Sequence, residues 1–475
     1  MVALAPHLVR PLPLLVPAFD GERPDRLMGM GLNMYDVMSV ERRRRRRGRK
    51  GSDDVGASWA PDRHRIVSGE EVVEHLPALA GRNPTSGYLF YDCQTDDTRL
   101  VMAVLGEAER YGAVCANRLD VRELVEEDGR TAGVRVHDGE SGEDFTIHAE
   151  NVVNATGVWA DQLRPDELHD EAEVPRIRPS RGTHVLFSHE TLPLVSGAIV
   201  PAGGGRSIFA LPWLGSTLVG TTDNDYEDQD GLDHVRPGSG DVEYLLEATN
   251  GFFGTSLTHT DIAGAYAGVR PLISTGDPKK SVDISRKAEL YETSSGMITI
   301  TGGKLTTWRR MAKMAVDRLV DRDGREAPCR TQSIPLGPTA EADDLPRTEG
   351  VPDAAYARLA QRYGGAAGDV LAIAGERGEL AQPILADAVP DLLAEAVYGA
   401  RREQARTVGD VLLRRTRLAL QEARVLQADD AAVERVARAM APDLGWDEAR
   451  ISTEVAAFRE EAREEGIVVA EAAPA

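Results

Sequence analysis

The stretch MITITGGKLTTWRR, residues 297–310, decides the fold of this chain. Its apolar and β-branched start predicts a strand, and the residues after Lys304 predict a helix. Gly302 and Gly303 lie between the two. Glycine lets the backbone pass close to a ligand, and a helix N-terminus offers N–H groups to an anion. The stretch therefore predicts a ligand-facing turn, although a plain glycine turn beside a solvated lysine fits the same residues.

A second stretch, VVNATGVWADQL at 152–163, has the same order of strand, glycine turn and helix. On its own it fits a phosphate-facing turn and an ordinary connection equally well. The preceding residues predict a helix at 98–111, then a strand in AVCANRLDV (113–121) and strands in the segments that end at Gly139 and Thr156. That order is typical of an α/β layer fold.

The later part of the chain divides by composition. Residues 174–300 are rich in short strands, and SIFALPWLGSTLVGTT (207–222) predicts a hairpin that closes on Gly215-Ser216. A mostly antiparallel sheet is expected there. After residue 337 the chain is rich in Ala, Leu, Glu and Arg at helical spacing, so residues 350–465 are predicted to form a helical domain.

The chain is acidic, with 55 Lys and Arg against 77 Asp and Glu among 475 residues, a net charge of −22. Such a balance argues against nucleic-acid binding. The basic run ERRRRRRGRKG at 41–51 is interpreted as a solvated loop, with a nucleic-acid or anionic-lipid patch as the alternative. Three cysteines without a CxxC pair, scattered histidines and no apolar run of ~20 residues predict a protein of the reducing cytoplasm. We expect it to have no metal site and to be soluble or peripheral to a membrane.

Four side chains from distant segments suggest a shared site: Arg270 in AGVRPLI, Arg286 in SRKAEL, His184 in RGTHVLF, and Lys304. A guanidinium matches phosphate or carboxylate oxygens, and histidine can transfer a proton near neutral pH. Each alone is more often a structural residue. Together, in an acidic chain, they predict a small anionic substrate. We expect Arg270, Lys304 and His184 to converge on one cavity beside the glycine turn.

Eight segments, in this order, carry a resemblance to a known family. They are YDCQTDDTRL (91–100), NVVNATGVWADQL (151–163), RPSRGTHVLF (178–187), IFALPWLGSTLVGTTDNDY (208–226), AGVRPLI (267–273), SRKAEL (285–290), ITGGKLTTWRRMA (300–312) and CRTQSIPLG (329–337). With them, and with VGDVLLRRTRLAL at 408–420, the chain resembles the FAD-dependent glycerol-3-phosphate dehydrogenases of the aerobic, quinone-reducing kind. The resemblance spans nearly the whole chain.

The resemblance implies an α/β fold of the FAD-dependent oxidoreductase class. Its parts are a glutathione-reductase-like FAD domain, incomplete in this chain, an antiparallel-sheet substrate domain and a C-terminal α-helical domain. The expected divisions are 1–170 for the rest of the FAD-binding domain with a basic insertion at 41–63, 171–340 for the substrate domain with a returning FAD-binding segment at 296–320, and 341–475 for the helical domain.

The resemblance also implies roles by position. Thr156 and Gly157 match a turn against FAD, and Gly302, Gly303 and Leu305 match the turn beneath the flavin. In the substrate site, Arg270 and Arg286 match phosphate-binding residues, whereas Lys304 and His184 match groups that polarise or deprotonate the C2 hydroxyl. The implied reaction converts sn-glycerol 3-phosphate to dihydroxyacetone phosphate, with FAD as hydride acceptor and a membrane quinone as final acceptor. A homodimer and a place on the inner face of the cell membrane are left open.

One departure from the family limits these expectations. The family begins with a strand, a GxGxxG turn and a helix, and the nearest match here, GMGLNM at 29–34, lacks the last glycine. The alternative hypothesis is therefore a truncated, FAD-deficient and non-catalytic remnant of the enzyme, whose strand edges near AVCANRLDV and NVVNAT stay accessible. A third hypothesis, an amine oxidase of the same superfamily, fits the cations less well.

Overall fold

The computed structural model describes residues 1–19, 26–38, 62–163, 176–228, 231–274, 288–386 and 390–469. The basic run at 41–51 and Arg286 lie outside these residues. The strands are β1 (Arg10–Ala18), β2 (Arg65–Ser68), β3 (Ser86–Gln94), β4 (Leu119–Glu127), β5 (Arg130–Asp138), β6 (Asp144–His148), β7 (Val153–Asn154), β8 (Arg176–Ser188), β9 (Gly197–Ala202), β10 (Arg206–Trp213), β11 (Ser216–Gly220), β12 (Asn224–Asp225), β13 (Gly264–Ser274), β14 (Ala288–Glu292) and β15 (Ile298–Gly302).

Helices dominate the last third of the chain. The α-helices are α1 (Arg26–Met38), α2 (Gly69–His75), α3 (Asp97–Arg110), α4 (Ser239–Phe253), α5 (Trp308–Arg322), α6 (Asp353–Tyr363), α7 (Ala367–Ala374), α8 (Leu393–Arg402), α9 (Leu418–Gln421), α10 (Ala423–Ala428), α11 (Asp430–Leu444) and α12 (Glu448–Glu464), with a π-helical turn at Asp410–Arg415. The helical character predicted for residues 350–465 is confirmed. The three domain boundaries stay a prediction.

The largest sheet has nine strands in the order β12-β8-β11-β10-β9-β1-β3-β2, with β13 on the other edge of β8. All its pairs are antiparallel except β1 with β9. The predicted hairpin is formed by β10 and β11. Its turn is Leu214-Gly215, one residue earlier than the predicted Gly215-Ser216, because Ser216 already pairs with Trp213; the φ values are 51° and 89°. Positive φ at both central residues gives the twist that suits a two-residue hairpin.

Two smaller sheets complete the strand-rich part. One is an antiparallel meander of β4, β5 and β6, and the other has the order β14-β15-β7. In the second sheet β15 is antiparallel to β14 and parallel to β7. Within the described residues β7 is therefore an outer strand, and its Val153 is 37% exposed.

Helix α3 confirms the helix predicted at 98–111. Asp96 caps its first turn, because its carboxylate accepts a hydrogen bond from the backbone N–H of Thr98 at 3.2 Å. By contrast, the strand predicted at 113–121 is wrong for residues 113–118, since β4 begins only at Leu119. Arg118 has φ 58°, a left-handed conformation that ends strand geometry, and Val114 is 94% exposed.

The stretch GMGLNM at 29–34 lies within α1, so it forms no glycine turn after a strand. A helix in this place agrees with the expectation that the match to GxGxxG is coincidental. Its Asn33 donates to the carbonyl of Gly29 at 2.9 Å, a contact between residues four apart on one helical turn.

The large sheet packs against helices and shares its hydrophobic core with them. Leu186, Trp213 and Leu218 from the large sheet pack in one cluster with buried residues of α6 to α12. The opposite face of the sheet packs on α4, where Phe187, Val200 and Leu245 are buried together. The large sheet is thus covered on both faces, as layered α/β and α+β folds require.

A buried ion pair joins α3 to the helical domain. Arg99 donates to both carboxylate oxygens of Glu403 at 2.9 and 2.7 Å, and each side chain is 7% exposed. Next to it Arg362 pairs with Asp391 at 2.9 Å and also with Glu395. Burial, opposed by Arg362, raises the pKa of Glu395. These charges are separated from water but each has a partner of opposite sign.

We expect Arg99→Met to lower the free energy of unfolding by about 3–5 kcal/mol, because it leaves the Glu403 carboxylate buried and unpaired. Chemical denaturation measures the loss. Arg110→Met, on the exposed end of the same helix, is the matched control and should change stability little. The double variant Arg99→Met/Glu403→Leu should recover most of the loss. Equal losses in Arg99→Met and Arg110→Met would show that the buried pair does not hold the two parts together.

Candidate functional site

Two glycine turns leave the same edge of the small sheet. Strands β7 and β15 run parallel, with Val153 opposite Ile298 and Asn154 opposite Thr299. Gly157 follows the end of β7 by three residues, and Gly302 is the last residue of β15. Both glycines have positive φ, 65° and 73°. The carboxyl ends of parallel strands are where α/β proteins bind ligands, so the two turns form one candidate edge.

The side chain of Asn154 holds the first turn. This residue is 3% exposed, and its Oδ1 accepts from the N–H and the hydroxyl of Thr156 at 3.2 and 2.7 Å. Its Nδ2 donates to the carbonyl of Ala160 at 3.0 Å, which ties the turn to the 3₁₀ helix Gly157–Leu163. A Cβ on Gly157 would meet nothing within 4 Å. The turn is thus fixed in shape and faces open space.

The second turn is packed more tightly on one side. Gly303 has φ 77°, and a Cβ there would lie 2.4 Å from the Sδ of Met311 on α5. Lys304 and Leu305 follow and are exposed. The hydroxyl of Thr307 accepts from the N–H of Lys304 at 3.1 Å and donates to its carbonyl at 2.9 Å. Two predicted residues, Lys304 and Leu305, are therefore exposed beside a turn whose positive φ values favour glycine.

The strand that leads into this turn carries two buried hydroxyls. Thr299 is 0% exposed and Thr301 is 3% exposed, and they point to the same face of β15 because side chains alternate along a strand. Within the described residues neither hydroxyl oxygen has a hydrogen-bond partner. Buried polar groups normally have one, so these two hydroxyls are exceptions in the strand that leads into the turn.

A second group of residues lies on one face of the β8–β13 ladder. Tyr266 is opposite His184, Gly268 is opposite Gly182, and Arg270 is opposite Ser180. Residues two apart on a strand share a face, so His184 and Arg270 point to the same side with two glycines between them. The structure therefore brings these two predicted residues together over a stretch of bare backbone.

His184 is held between neighbouring strands. Its imidazole stacks on the ring of Tyr266, with 4.9 Å between centroids and an interplanar angle of 12°. On the other side, a Cβ on Gly220 would lie 2.3 Å from the imidazole Cδ2. Burial, and then the charge of Arg270, lowers the pKa of His184 to about 4. The imidazole is neutral at pH 7, and its buried Nδ1 has no hydrogen-bond partner among the described residues.

Arg270 is positioned by the loop after β11. Its guanidinium pairs with Asp223 at 3.2 Å and donates to the hydroxyl of Thr221 at 3.1 Å. It also donates to the carbonyl of Thr222 at 3.3 Å. A Cβ on Gly182 would lie 2.5 Å from Nη2, so the guanidinium lies flat over that glycine. A planar, fixed cation of this kind can bind phosphate or carboxylate oxygens.

The predicted site residues lie in two groups, one at the glycine turns and one on the β8–β13 ladder. Strand β13 packs against β15, which carries the second glycine turn. No hydrogen bond or ion pair in the described residues joins Lys304 to Arg270 or His184, so their convergence stays a prediction. Arg286 lies outside the described residues. Tyr266, Thr221 and Asp223 were missed by the sequence analysis. Tyr266 could have been found from its spacing, since it lies four residues before Arg270 on one strand face.

The described residues hold no group of three or more His, Cys, Asp or Glu side chains arranged to bind a metal ion. None of the helices in that part of the chain has the length and apolar character that crossing a bilayer requires.

Comparisons with known proteins match nearly the whole chain. A family model described as FAD dependent oxidoreductase matches residues 22–318, and one described as C-terminal domain of alpha-glycerophosphate oxidase matches residues 329–451. Glycerol-3-phosphate dehydrogenase 2 of Mycobacterium tuberculosis (strain ATCC 25618 / H37Rv) is 34% identical over 100% of this chain and 77% of its own length. Aerobic glycerol-3-phosphate dehydrogenase of Bacillus subtilis (strain 168) is 30% identical over 86% of this chain and 73% of its own length.

A solved structure agrees with these matches. The glycerol-3-phosphate dehydrogenase from Bacillus halodurans complexed with FAD superimposes with a TM-score of 0.76 at 27% identity, covering 99% of this chain and 86% of that one. The agreement extends through both the sheets and the C-terminal helices.

We expect the imidazole of His184 to titrate near pH 4 when followed by NMR, because burial and Arg270 both disfavour its charged form. In Arg270→Gln the pKa should rise but stay below the ordinary 6.5, since burial remains. Because the folded value is the lower one, the unfolded chain takes up this proton first, and stability falls as the pH drops from about 6.5 to about 4.

Arg178→Gln, on the same strand β8, is the control and should leave the titration of His184 unchanged. A midpoint at or above 6.5 in the unaltered protein would show that His184 is not enclosed as described.

Proposed function

Since this chain belongs to the FAD-dependent glycerol-3-phosphate dehydrogenases, we propose that it oxidises the C2 hydroxyl of sn-glycerol 3-phosphate, giving dihydroxyacetone phosphate. The observation that carries the proposal is the pairing of a fixed guanidinium with a neutral imidazole on one face of the β8–β13 ladder. A Cβ on Gly268 would meet nothing within 4 Å, so this glycine leaves room for a small substrate with an anionic end.

The candidate edge fits FAD, the cofactor of this family. A flat ring system needs bare backbone beside it, which Gly157, Gly302 and Gly303 supply. When bound, FAD supplies a two-electron acceptor for the hydrogen that leaves C2. We propose that Thr156 and Leu305 line the same edge.

Arg270 is proposed to bind the substrate phosphate. Its guanidinium is held by Asp223 and Thr221, so it binds without first losing the freedom of a mobile side chain. Arg286 is proposed as a second phosphate ligand by family resemblance. Lys304, exposed beside the glycine turn, is proposed to lie over the reacting carbon and to stabilise negative charge on its oxygen.

His184 is proposed to accept the proton of the C2 hydroxyl. Its lowered pKa keeps the imidazole neutral, so a lone pair is free at physiological pH. Stacking on Tyr266 restrains the ring from turning away. As the hydroxyl becomes a carbonyl, the nearby positive charge of Arg270 favours loss of the proton to solvent rather than its retention on His184.

A membrane quinone is proposed as the final electron acceptor, with the protein in the cytoplasm and peripheral on the inner membrane face. In support, an apolar cleft of about 180 Å³ lies beside the second turn, lined by Trp308, Tyr111, Val104 and Ile334 among others. Activity with a short-chain quinone in place of a soluble dye tests this acceptor. Light scattering tests the homodimer.

The second candidate function is a protein of this family that lacks FAD and activity. It is favoured by the helical conformation of GMGLNM and by the outer position of β7 among the described strands. The flavin absorption band of the purified chain separates the two candidates, because only an FAD-bound enzyme is yellow. A colourless protein that cannot be reconstituted with FAD would favour this second function.

We expect Arg270→Gln to raise the KM for sn-glycerol 3-phosphate roughly 10- to 100-fold, the loss typical of a charge-assisted hydrogen bond. His184→Gln should instead lower kcat about 10²- to 10⁴-fold, because it removes the proton acceptor. Both variants should keep their flavin, since neither residue lies on the glycine turns. Steady-state kinetics with flavin quantified in each sample measures these effects.

Arg178→Gln is again the control, because it removes an arginine from the same strand that pairs with Asp225 at 2.9 Å, whereas Arg270 pairs with Asp223. Arg270→Lys should recover part of the affinity through its charge. An unchanged KM in Arg270→Gln would show that this residue does not bind the substrate phosphate.

A further inference from the structure

The face of β13 that carries Tyr266 is covered by the C-terminal helices. Gly264 and Tyr266 point to the same side of the strand, since they are two residues apart. A Cβ on Gly264 would lie 2.1 Å from the carbonyl oxygen of Leu420 in the short helix α9, so α9 lies directly on the strand beside Tyr266. The tyrosine ring also packs against the hydrophobic cluster that contains Trp213 and Leu418. The last third of the chain therefore surrounds part of this ring.

Tyr266 is held by packing and by nearby charges. No hydrogen bond joins its hydroxyl to any residue that the structure describes. Burial, and then the charge of Asp97, raises the pKa of its phenol, while Arg417 opposes this. The other side of the ring stacks on the imidazole of His184, with 4.9 Å between centroids. Whatever fixes the tilt of the tyrosine ring therefore fixes the tilt of the imidazole.

Arg417 joins the start of α9 to the start of α3. It has φ 66°, a left-handed conformation that a non-glycine residue keeps only where its surroundings hold it there. Its Nη2 donates to the carboxylate of Asp97 at 2.6 Å, and its Nε lies 3.5 Å from the carboxylate of Asp96. The guanidinium also lies over the ring of Trp213, 5.9 Å from the centroid. The side chains of Arg417 and Asp96 are 14% and 9% exposed, so this ion pair is largely shielded from water.

We propose that Arg417 is a positioning residue for the reaction proposed above. By joining α9 to the first turn of α3, it fixes α9 against the strand face that carries Tyr266, and the stacked tyrosine holds His184 at the angle in which it accepts the C2 proton. The inference rests on the role proposed for His184. It gives the helical domain a part in the reaction, through contact with the tyrosine.

The NMR signals of the His184 ring test this geometry without any turnover. Stacking on a tyrosine shifts the protons of the imidazole upfield through the aromatic ring current, and His184→Gln identifies these signals by their loss. We expect Arg417→Gln to move them downfield, because α9 no longer holds Tyr266 in place. Arg424→Gln is the control and should leave the signals where they are. Arg424 also ties the helices to the segment before β13, but it does so by donating to the carbonyl of His259 at 2.7 Å.

Steady-state kinetics test the consequence for the reaction. Arg417→Gln should keep its flavin and its KM for sn-glycerol 3-phosphate, yet lose about 10- to 100-fold in kcat, the cost of a small misplacement of a reacting group. Arg417→Lys keeps a positive charge beside Asp97 and should recover part of the loss. In a Tyr266→Leu background, where no aromatic ring is left to orient, Arg417→Gln should lower kcat little further, since residues that act through one contact are not additive.

The outcomes separate this inference from the proposed function. Unmoved His184 signals in Arg417→Gln would overturn the inference, and so would fully additive losses of kcat in the double variant with Tyr266→Leu. Equal losses of kcat in Arg417→Gln and Arg424→Gln would also overturn it, because they would reflect stability alone. If His184→Gln keeps its kcat, the proposed proton acceptor is wrong, even where the spectra show that Arg417 orients the ring.

Discussion

The antiparallel pairing of β8 with β13 is the constraint on which the rest of the structure depends. It runs through eleven residue pairs, from Arg176 with Ser274 to Leu186 with Gly264. One face of this ladder carries His184, Tyr266 and Arg270, while Val185 and Ala265 lie in the hydrophobic core on the other. A slip of one residue would exchange the two faces, placing Val185 or Ala265 where His184 and Arg270 lie and bringing the polar side chains into the hydrophobic core. Core packing therefore fixes the register, and the register places the functional groups.

Glycine residues in the β8–β13 ladder and in the adjoining strand β11 let the side chains of the candidate site lie on the sheet. Side chains at Gly182 and Gly220 would collide with Arg270 and His184, so the backbone must be bare for both residues to lie flat on the sheet. Glycine also forms the turns at the edge of the neighbouring sheet. Gly157 faces open space, and Gly303 is packed on Met311. In each case the absence of a side chain creates room beside a polar or charged group.

The features that could be predicted from the sequence are those that depend on the residues of one short segment. The strand, turn and helix at 298–310 follow from periodicity and glycine placement, and α3 and the β10–β11 hairpin were found for the same reason. The residues 113–118 were assigned wrongly, because their apolar composition suggests a strand while Arg118 adopts a left-handed conformation and Asn117 bonds to Gln404. The contact of His184 with Tyr266 depends on register between distant strands, which no local pattern contains. The division into domains and the role of each cation rest on the family resemblance.

The buried pair of Arg99 and Glu403 has a consequence for the order of events on the ribosome. The two residues are 304 positions apart, so at about 5–20 residues per second Arg99 is synthesised roughly 15 to 60 s before its partner. Throughout that interval α3 has no helical domain to cover it, and its charge remains in water. The strand-rich part therefore carries an unpaired guanidinium until residues near 403 are made, and Glu403 then neutralises this charge in the folded protein.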